Sequence, residues 1–382
     1  MISRIFRRAY SDLSKLKHTP FYDLHLKYGG KMVDYAGYSM PVLYQKQTHI
    51  ESHNWVRTNA GLFDVSHMVQ HTFKGPDAIQ FLEKITPGDI QGLAPFTSTL
   101  SVLLNNNGGI VDDTIITRQG EDEFYVVTNA GRRNEDLSFL HKESSGLNVS
   151  HEIIGGGLLA LQGPKAAENL QKLTNFDLST LYFGQSQFIT VDGIKVHVAR
   201  GGYTGEDGFE ISIPDSAAAN VIATKLLDSE DVNLIGLAAR DSLRLEAGMC
   251  LYGHELSEEI GPVAARLMWT IGKRRRAEAN FNGAASVLAD IAEKKTPLRS
   301  GLVSKGPAPR PGAKVLDKEG NVVGEITSGS MSPTLKENVA MAYLPRRLSK
   351  IGTELDIEIR GKLRPAVVKK MPFVEPKYYR QP

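Results

Sequence analysis

The apolar residues of this chain fall in short blocks separated by glycine, asparagine and proline, a pattern that predicts strands with tight turns between them. The block at 100–104 runs into Asn105-Asn106-Asn107-Gly108-Gly109 and returns at 110–116. Asparagine and glycine supply the positive-φ positions that such a hairpin turn requires. A further strand is expected at 124–128 and a helix at 133–143. Beyond Gly155-Gly156-Gly157, residues 158–162 predict a buried strand, and 164–173 a helix with Pro164 in its first turn. Strands follow at 188–191, 195–199 and 209–213, with a turn at 203–208, and then helices at 216–228 and 234–247. Residues 20–60 show only short mixed segments, broken at Pro20, Gly29-Gly30, Gly37 and Pro41.

From Pro297 the pattern changes. Gly306-Pro307-Ala308-Pro309-Arg310-Pro311-Gly312 is turn-rich, and strands are expected at 313–316, 322–327, 339–343, 354–359 and 366–369, with almost nothing helical. This predicts a separate small β-barrel or sandwich. Strands and helices in alternation, joined by hairpins, place the fold in the α+β class. At 382 residues the chain exceeds one ordinary core. We divide it into a leader at 1–17, α+β regions at 18–150 and 151–296, and the β domain at 297–382.

Composition narrows the function classes. Apolar residues make up 41% and charged residues 23%, as in globular proteins. No apolar run approaches the roughly 18 residues a membrane-spanning helix needs, so no membrane insertion is expected. The single cysteine, Cys250, excludes an internal disulfide framework. The net charge is +2, but residues 1–18 carry five cations against Asp12, which leaves the remainder at −2. That balance argues against a nucleic-acid partner. Arg4, Arg7 and Arg8 stand opposite Ile2, Ile5, Phe6 and Ala9 on a helical projection, the pattern of a mitochondrial transit peptide.

Several catalytic patterns fail. Asp64, Ser66 and His67 lie together without a strained nucleophile turn, so His67 reads as structural. Gly155-Gly156-Gly157 lacks the Gly-Lys-Ser/Thr of a phosphate loop, and no H-E-x-x-H or paired C-x-x-C occurs. Neither a nucleotide nor a metal is indicated. What remains is a set of carboxylates in apolar strands. Asp112 and Asp113 are neighbours, so they face opposite sides, and at least one shares a face with branched apolar groups. Burial raises a carboxyl pKa and donors lower it, which suits such a group to proton handling; spacing alone does not choose between the two. Glu210 alternates with Phe209 and Ile211. Arg240 and Arg244 share a helix face.

Taken together, these segments resemble the aminomethyltransferase family, the T-proteins of the glycine cleavage system. The carriers are Phe63-Asp-Val-Ser-His-Met68, Gly108-Gly-Ile-Val-Asp-Asp113, Tyr125-Val-Val-Thr-Asn-Ala-Gly131 and Leu161-Gln-Gly-Pro164. Then come Gly202-Tyr-Thr-Gly-Glu-Asp-Gly-Phe-Glu210, the stretch 236–248, Trp269-Thr-Ile-Gly-Lys-Arg-Arg-Arg276 and Lys370-Met-Pro-Phe-Val374. They stand in the family's order from about residue 18 to the C-terminus. The resemblance implies a three-domain ring with a C-terminal β-barrel and a central folate channel. It implies transfer of an aminomethyl group from the lipoyl arm of the H-protein to tetrahydrofolate, in the mitochondrial matrix, with no metal. It makes Asp113 the catalytic aspartate and Glu210 the pterin-binding glutamate. Arg240, Asn129, Tyr203, Trp269 and Tyr378 become folate-site positions, with Met68 and Leu100 beside them. The basic run Lys273–Arg276 is expected to dock the acidic H-protein or the glutamate tail of the folate. Related folate-binding proteins of iron–sulfur assembly carry Lys-Gly-Cys-Tyr-x-Gly-Gln-Glu, where this chain has Gly202-Tyr-Thr-Gly-Glu-Asp-Gly208. A dimethylglycine or sarcosine oxidising enzyme would need a flavin domain, for which there is neither length nor fingerprint.

Overall fold

The computed structural model describes residues 15–382; the expected leader at 1–17, apart from its last three residues, lies outside the described residues. A two-stranded sheet of Gly30–Tyr35 and Tyr38–Tyr44 comes first, beside two larger, mainly antiparallel sheets. One has five strands, in the order Ser98–Leu104, Ile110–Arg118, Glu123–Thr128, Val69–Lys74, Ser150–Ile154. Helices Ala78–Ile85 and Arg133–Ser144 supply Phe81, Leu82, Ile85 and Leu140 to its core, against Phe73, Phe124 and Val126. The other has six strands, in the order Ser186–Val191, Ile194–Arg200, Gly208–Ile213, Gly157–Gln162, Ala60–Asp64, Val232–Leu234, with only the last pair parallel.

The sheets do not divide at residue 150. Ala60–Asp64 pairs with Gly157–Gln162, while Ser150–Ile154 pairs back to Val69–Lys74. Every residue of Ala60–Asp64 is buried, as a strand flanked on both sides requires, and such a strand loses the alternation that would mark it in sequence. Phe63, Val65, Tyr125, Val127, Leu158 and Ala160 form one core between the two sheets.

The C-terminal part is a closed six-stranded barrel, sealed by pairing Leu298–Ser304 with Lys362–Lys369. Residues 250–291 link it to the first sheet, packing Leu256, Val263, Leu267 and Ile271 on Val102, Leu104 and Ile110. After the barrel the chain runs on without regular structure. Phe373 N donates to Glu246 O, Lys377 N to Gly205 O, and Phe183 N to Tyr379 O. This tail joins the barrel to the second sheet and closes a ring of three bodies. Among the described residues no helix is long and apolar enough to cross a membrane.

Candidate functional site

The hairpin that presents the aspartate pair is fixed by its turn. Asn105 Oδ1 accepts the amides of Asn107 and Gly109, at 2.9 and 3.0 Å, and Gly108 sits at φ 83°. Gly109 lies so close to Glu258 O that a Cβ would overlap it. The strand Ile110–Arg118 then alternates, with Asp112, Thr114 and Ile116 buried on one face and Asp113 and Ile115 half-buried on the other. The two carboxylates are thereby separated. Asp112 is fully buried against the helix Arg133–Ser144, and Asp113, on the other face, lies within electrostatic reach of Arg240 and Tyr203.

Asn129, directly after the strand Glu123–Thr128, holds both. Its backbone N–H donates to Asp112 Oδ2 at 2.8 Å, and its side-chain Nδ2 donates to Asp112 Oδ1 at 3.0 Å and Asp113 Oδ1 at 2.9 Å. Burial first, and then the charge of Asp112, push the Asp113 carboxyl up to about 7, against the opposing pull of Asn129 and Arg240. Ionisation near neutrality is what proton transfer at physiological pH requires.

Glu210 comes from the neighbouring sheet, on the strand Gly208–Ile213. It is half-buried while Phe209 and Ile211 are fully buried. Burial raises its carboxyl and Arg240 partly offsets this. Arg240, on the helix Leu237–Glu246, lays its guanidinium 4.7 Å from the centroid of Tyr203, and Tyr203 Oη donates to Cys250 O. Among the described residues, neither Glu210 nor Arg240 has an ion pair or a side-chain hydrogen bond. Arg244, one turn on, is the reverse. Fully buried, it donates to Glu255 at 3.0 Å, Asp241 at 2.9 Å and Ser328 Oγ at 2.8 Å. Two arginines on one helix face thus do different work. One bolts the helix to the barrel, and the other lies over the Tyr203 ring with no ion pair of its own among the described residues.

Asp113, Tyr203 and Glu210 therefore each lie within electrostatic reach of Arg240, and Asn129 is bonded to Asp113. The tail delivers Tyr378, stacked 4.2 Å from Phe183. Met68 packs against the core between the two sheets, and Leu100 stands opposite Ile115, next along the face of Asp113. Trp269 is 64% exposed, on the short helix Met268–Thr270 that packs against the strand Ser98–Leu104. The basic run is largely consumed internally. Arg274 pairs with Glu83, Asp89 and Glu278, and Arg275 is fully buried on Glu83 and Glu278. Arg276 donates to the carbonyls of Met268 and Ile271. Only Lys273 of the run is left exposed.

His67 is buried, edge-on to Tyr35 at 5.4 Å, and burial lowers it to about 4; Asp64 is bound by Thr19, His25 and the Ser66 amide. Both are structural. Sequence reasoning missed Tyr35, whose phenol is raised by burial and feels both Arg240 and Asp113. It also missed Asp136. With Leu140 and Glu143, Asp136 forms the buried stripe of the helix Arg133–Ser144, so its helical spacing from Leu140 was the available signal. Among the described residues no group of three His, Cys, Asp or Glu side chains gathers as a metal would need.

Comparison with known proteins follows the same outline. A family model described as GCVT N-terminal domain matches residues 21–275, and one described as glycine cleavage T-protein C-terminal barrel domain matches 299–375. The mitochondrial aminomethyltransferase of Saccharomyces cerevisiae is 51% identical, covering 99% of this chain and 98% of its own. That of Mesembryanthemum crystallinum is 48% identical, covering 99% and 94%. The crystal structure of the glycine cleavage system aminomethyltransferase T from Bartonella henselae superposes with a TM-score of 0.91, at 40% identity, over 96% of this chain and all of that one.

Proposed function

Because this chain belongs to the aminomethyltransferase family, the T-proteins of the glycine cleavage system, we propose that Asp113, Glu210 and Arg240 form its folate site, with Asp113 as the catalytic carboxylate. The activity is aminomethyl transfer in the glycine cleavage system, with tetrahydrofolate as the acceptor, in the mitochondrion. The donor is the aminomethylated lipoyl arm of the H-protein, and the compartment is the matrix. The products are 5,10-methylenetetrahydrofolate, ammonia and the dihydrolipoyl protein.

The observation that carries the site reading is an unpaired set of charges. Glu210 and Arg240 are half-buried and, among the described residues, neither makes an ion pair or a side-chain hydrogen bond, a costly state for a carboxylate unless a ligand completes it. A pterin's ring N–H and exocyclic amine form a two-donor edge that a carboxylate accepts in parallel, which fits Glu210. Tyr203 and Tyr378 suit the flat rings. Tetrahydrofolate supplies the nucleophilic N5 that takes up the aminomethyl carbon. Asp113, as the carboxylate, accepts the hydrogen bond of N5–H and orients it; protonated, it has a proton to give as ammonia leaves. Asn129 fixes the carboxyl plane during both.

The test is formation of methylenetetrahydrofolate and ammonia from aminomethylated H-protein by wild type and Asp113→Ala. Turnover of the variant falls by about 10²–10⁴-fold, while its tetrahydrofolate Kd stays within a few-fold. Since the ionised form does the accepting and the carboxyl titrates at about 7, wild-type kcat falls as pH drops below 7. Full turnover in the variant would remove Asp113 from the mechanism.

A further inference from the structure

Between the two large sheets lies a polar clamp. On the strand Val69–Lys74, Gln70 stands opposite Val127, and Val127 stands opposite Ile115 on the strand of the aspartate pair. Residues directly opposite point to one side of a sheet, as do residues two apart along a strand. Gln70, Val127, Ile115 and Asp113 therefore share a face. In the neighbouring sheet Ser212 stands opposite Leu158 and His197, two residues along from Glu210, so Ser212 and Glu210 share a face as well. Tyr125 and Val127 from the first face pack with Leu158 and Ala160 from the second. Asp113 and Glu210 thus belong to two surfaces that press against each other.

Gln70 crosses that gap. Its Oε1 accepts the Ser212 hydroxyl of the opposing sheet at 2.5 Å and the Tyr125 hydroxyl of its own sheet at 2.8 Å, which occupies both lone pairs of the oxygen. Gln70 and Tyr125 are buried, and His197 stands edge-on to the Tyr125 ring at 5.0 Å. Apolar contact draws two sheets together without fixing how they slide, whereas a hydrogen bond is directional. At the strands Ser98–Leu104 and Ser186–Val191 the sheets are pinned by backbone, Ser98 N to Gly184 O and Ser186 N to Phe96 O, both 2.7 Å. The bond from Ser212 to Gln70 pins the interior. We propose that Gln70 is a positioning residue, whose bond to Ser212 sets the offset between the sheet that carries Asp113 and the sheet that carries Glu210. With the pterin edge held on Glu210, that offset decides where N5 comes to rest against the Asp113 carboxyl. A misplacement of about 1 Å there lowers the rate rather than the affinity.

This inference rests on Asp113 and Glu210 acting on one folate, and the experiment tells the two apart. Steady-state kinetics with aminomethylated H-protein and tetrahydrofolate are measured for Ser212→Ala, Gln70→Met, the double variant, Ser212→Thr and Tyr125→Phe. Ser212→Ala and Gln70→Met each lower kcat about tenfold, with the KM for tetrahydrofolate within about twofold of wild type. The double variant falls no further than either single, because both remove the same bond. Ser212→Thr retains the hydroxyl and keeps wild-type kcat. Tyr125→Phe removes a bond to the same oxygen but within one sheet, and its kcat stays within about twofold. An unchanged kcat in Ser212→Ala, additive losses in the double variant, or an equal loss in Tyr125→Phe overturns the proposal. Should Gln70→Met not fold, the Ser212 and Tyr125 variants decide alone. Full turnover in Asp113→Ala would remove the reading on which this rests, whereas lost turnover there beside an unchanged kcat in Ser212→Ala rejects this inference alone.

Discussion

Glu210 shows how little a side chain's type says until its surroundings are known. In sequence it is a glutamate on the polar face of a strand, where solvent is the ordinary partner. In the fold it is half-buried, paired in register with Ala160 and Ala199, and without a donor among the described residues. Hydrogen bonds to a charged acceptor are worth about 1.5–3 kcal/mol each. Glu210→Gln turns one acceptor oxygen into a donor facing donors, so tetrahydrofolate binding weakens by about 10–100-fold. Fluorescence titration measures this, and an unchanged Kd would take Glu210 out of the site. The aspartate pair makes the same point. Strand alternation says that Asp112 and Asp113 part company, but only the packed helix behind Asp112 decides which is walled in and which is left half-buried.

At the scale of elements, the helix Leu237–Glu246 does two jobs four residues apart. Arg244 binds Glu255, which is itself fully buried. Truncating one partner of such a pair leaves an uncompensated buried charge, at a cost of about 3–5 kcal/mol. Arg244→Ala should lose about that much unfolding free energy. Arg240→Ala, which abandons only the stack on Tyr203 and no ion pair, stays within about 1 kcal/mol of wild type and weakens folate binding instead. Denaturant unfolding of the two variants checks the contrast; equal destabilisation would contradict it. The sequence showed both arginines on one face but not their fates, because the partner Glu255 and the barrel's Ser328 arrive from other parts of the chain. The basic run at 273–276 is a parallel case. Four consecutive cations suggest a docking patch, yet Glu83 and Asp89, distant in sequence, take up Arg274 and Arg275.

For the whole molecule, the deciding contact is the return of the tail. Glu246 gathers His53, Arg57, Ser332 and Thr334. Burial alone would raise its carboxyl, but His53, Ser332 and Arg57 outweigh this and hold it down at about 2. Its backbone carbonyl then receives the amides of Phe373 and Val374, so the barrel and tail are anchored on the helix that carries Arg240. Truncation after Val374 removes Lys377, Tyr378 and their contacts with Gly205 and Phe183. The shortened protein keeps its cooperative thermal transition and binds tetrahydrofolate about 3–10-fold more weakly, the worth of one aromatic contact; calorimetry reads both, and undiminished affinity would exclude Tyr378 from the site. By itself the sequence determined the family, the α+β class, the barrel beyond residue 297 and the hairpin bearing Asp113. These depend on local patterns and on ordered motifs that survive without coordinates. The tertiary structure alone decided the exchange of strands across residue 150, the different fates of Arg240 and Arg244, the exposure of Trp269 and the burial of Asp136. Each of these turns on which distant groups come to share a space, and a linear pattern carries no measure of that.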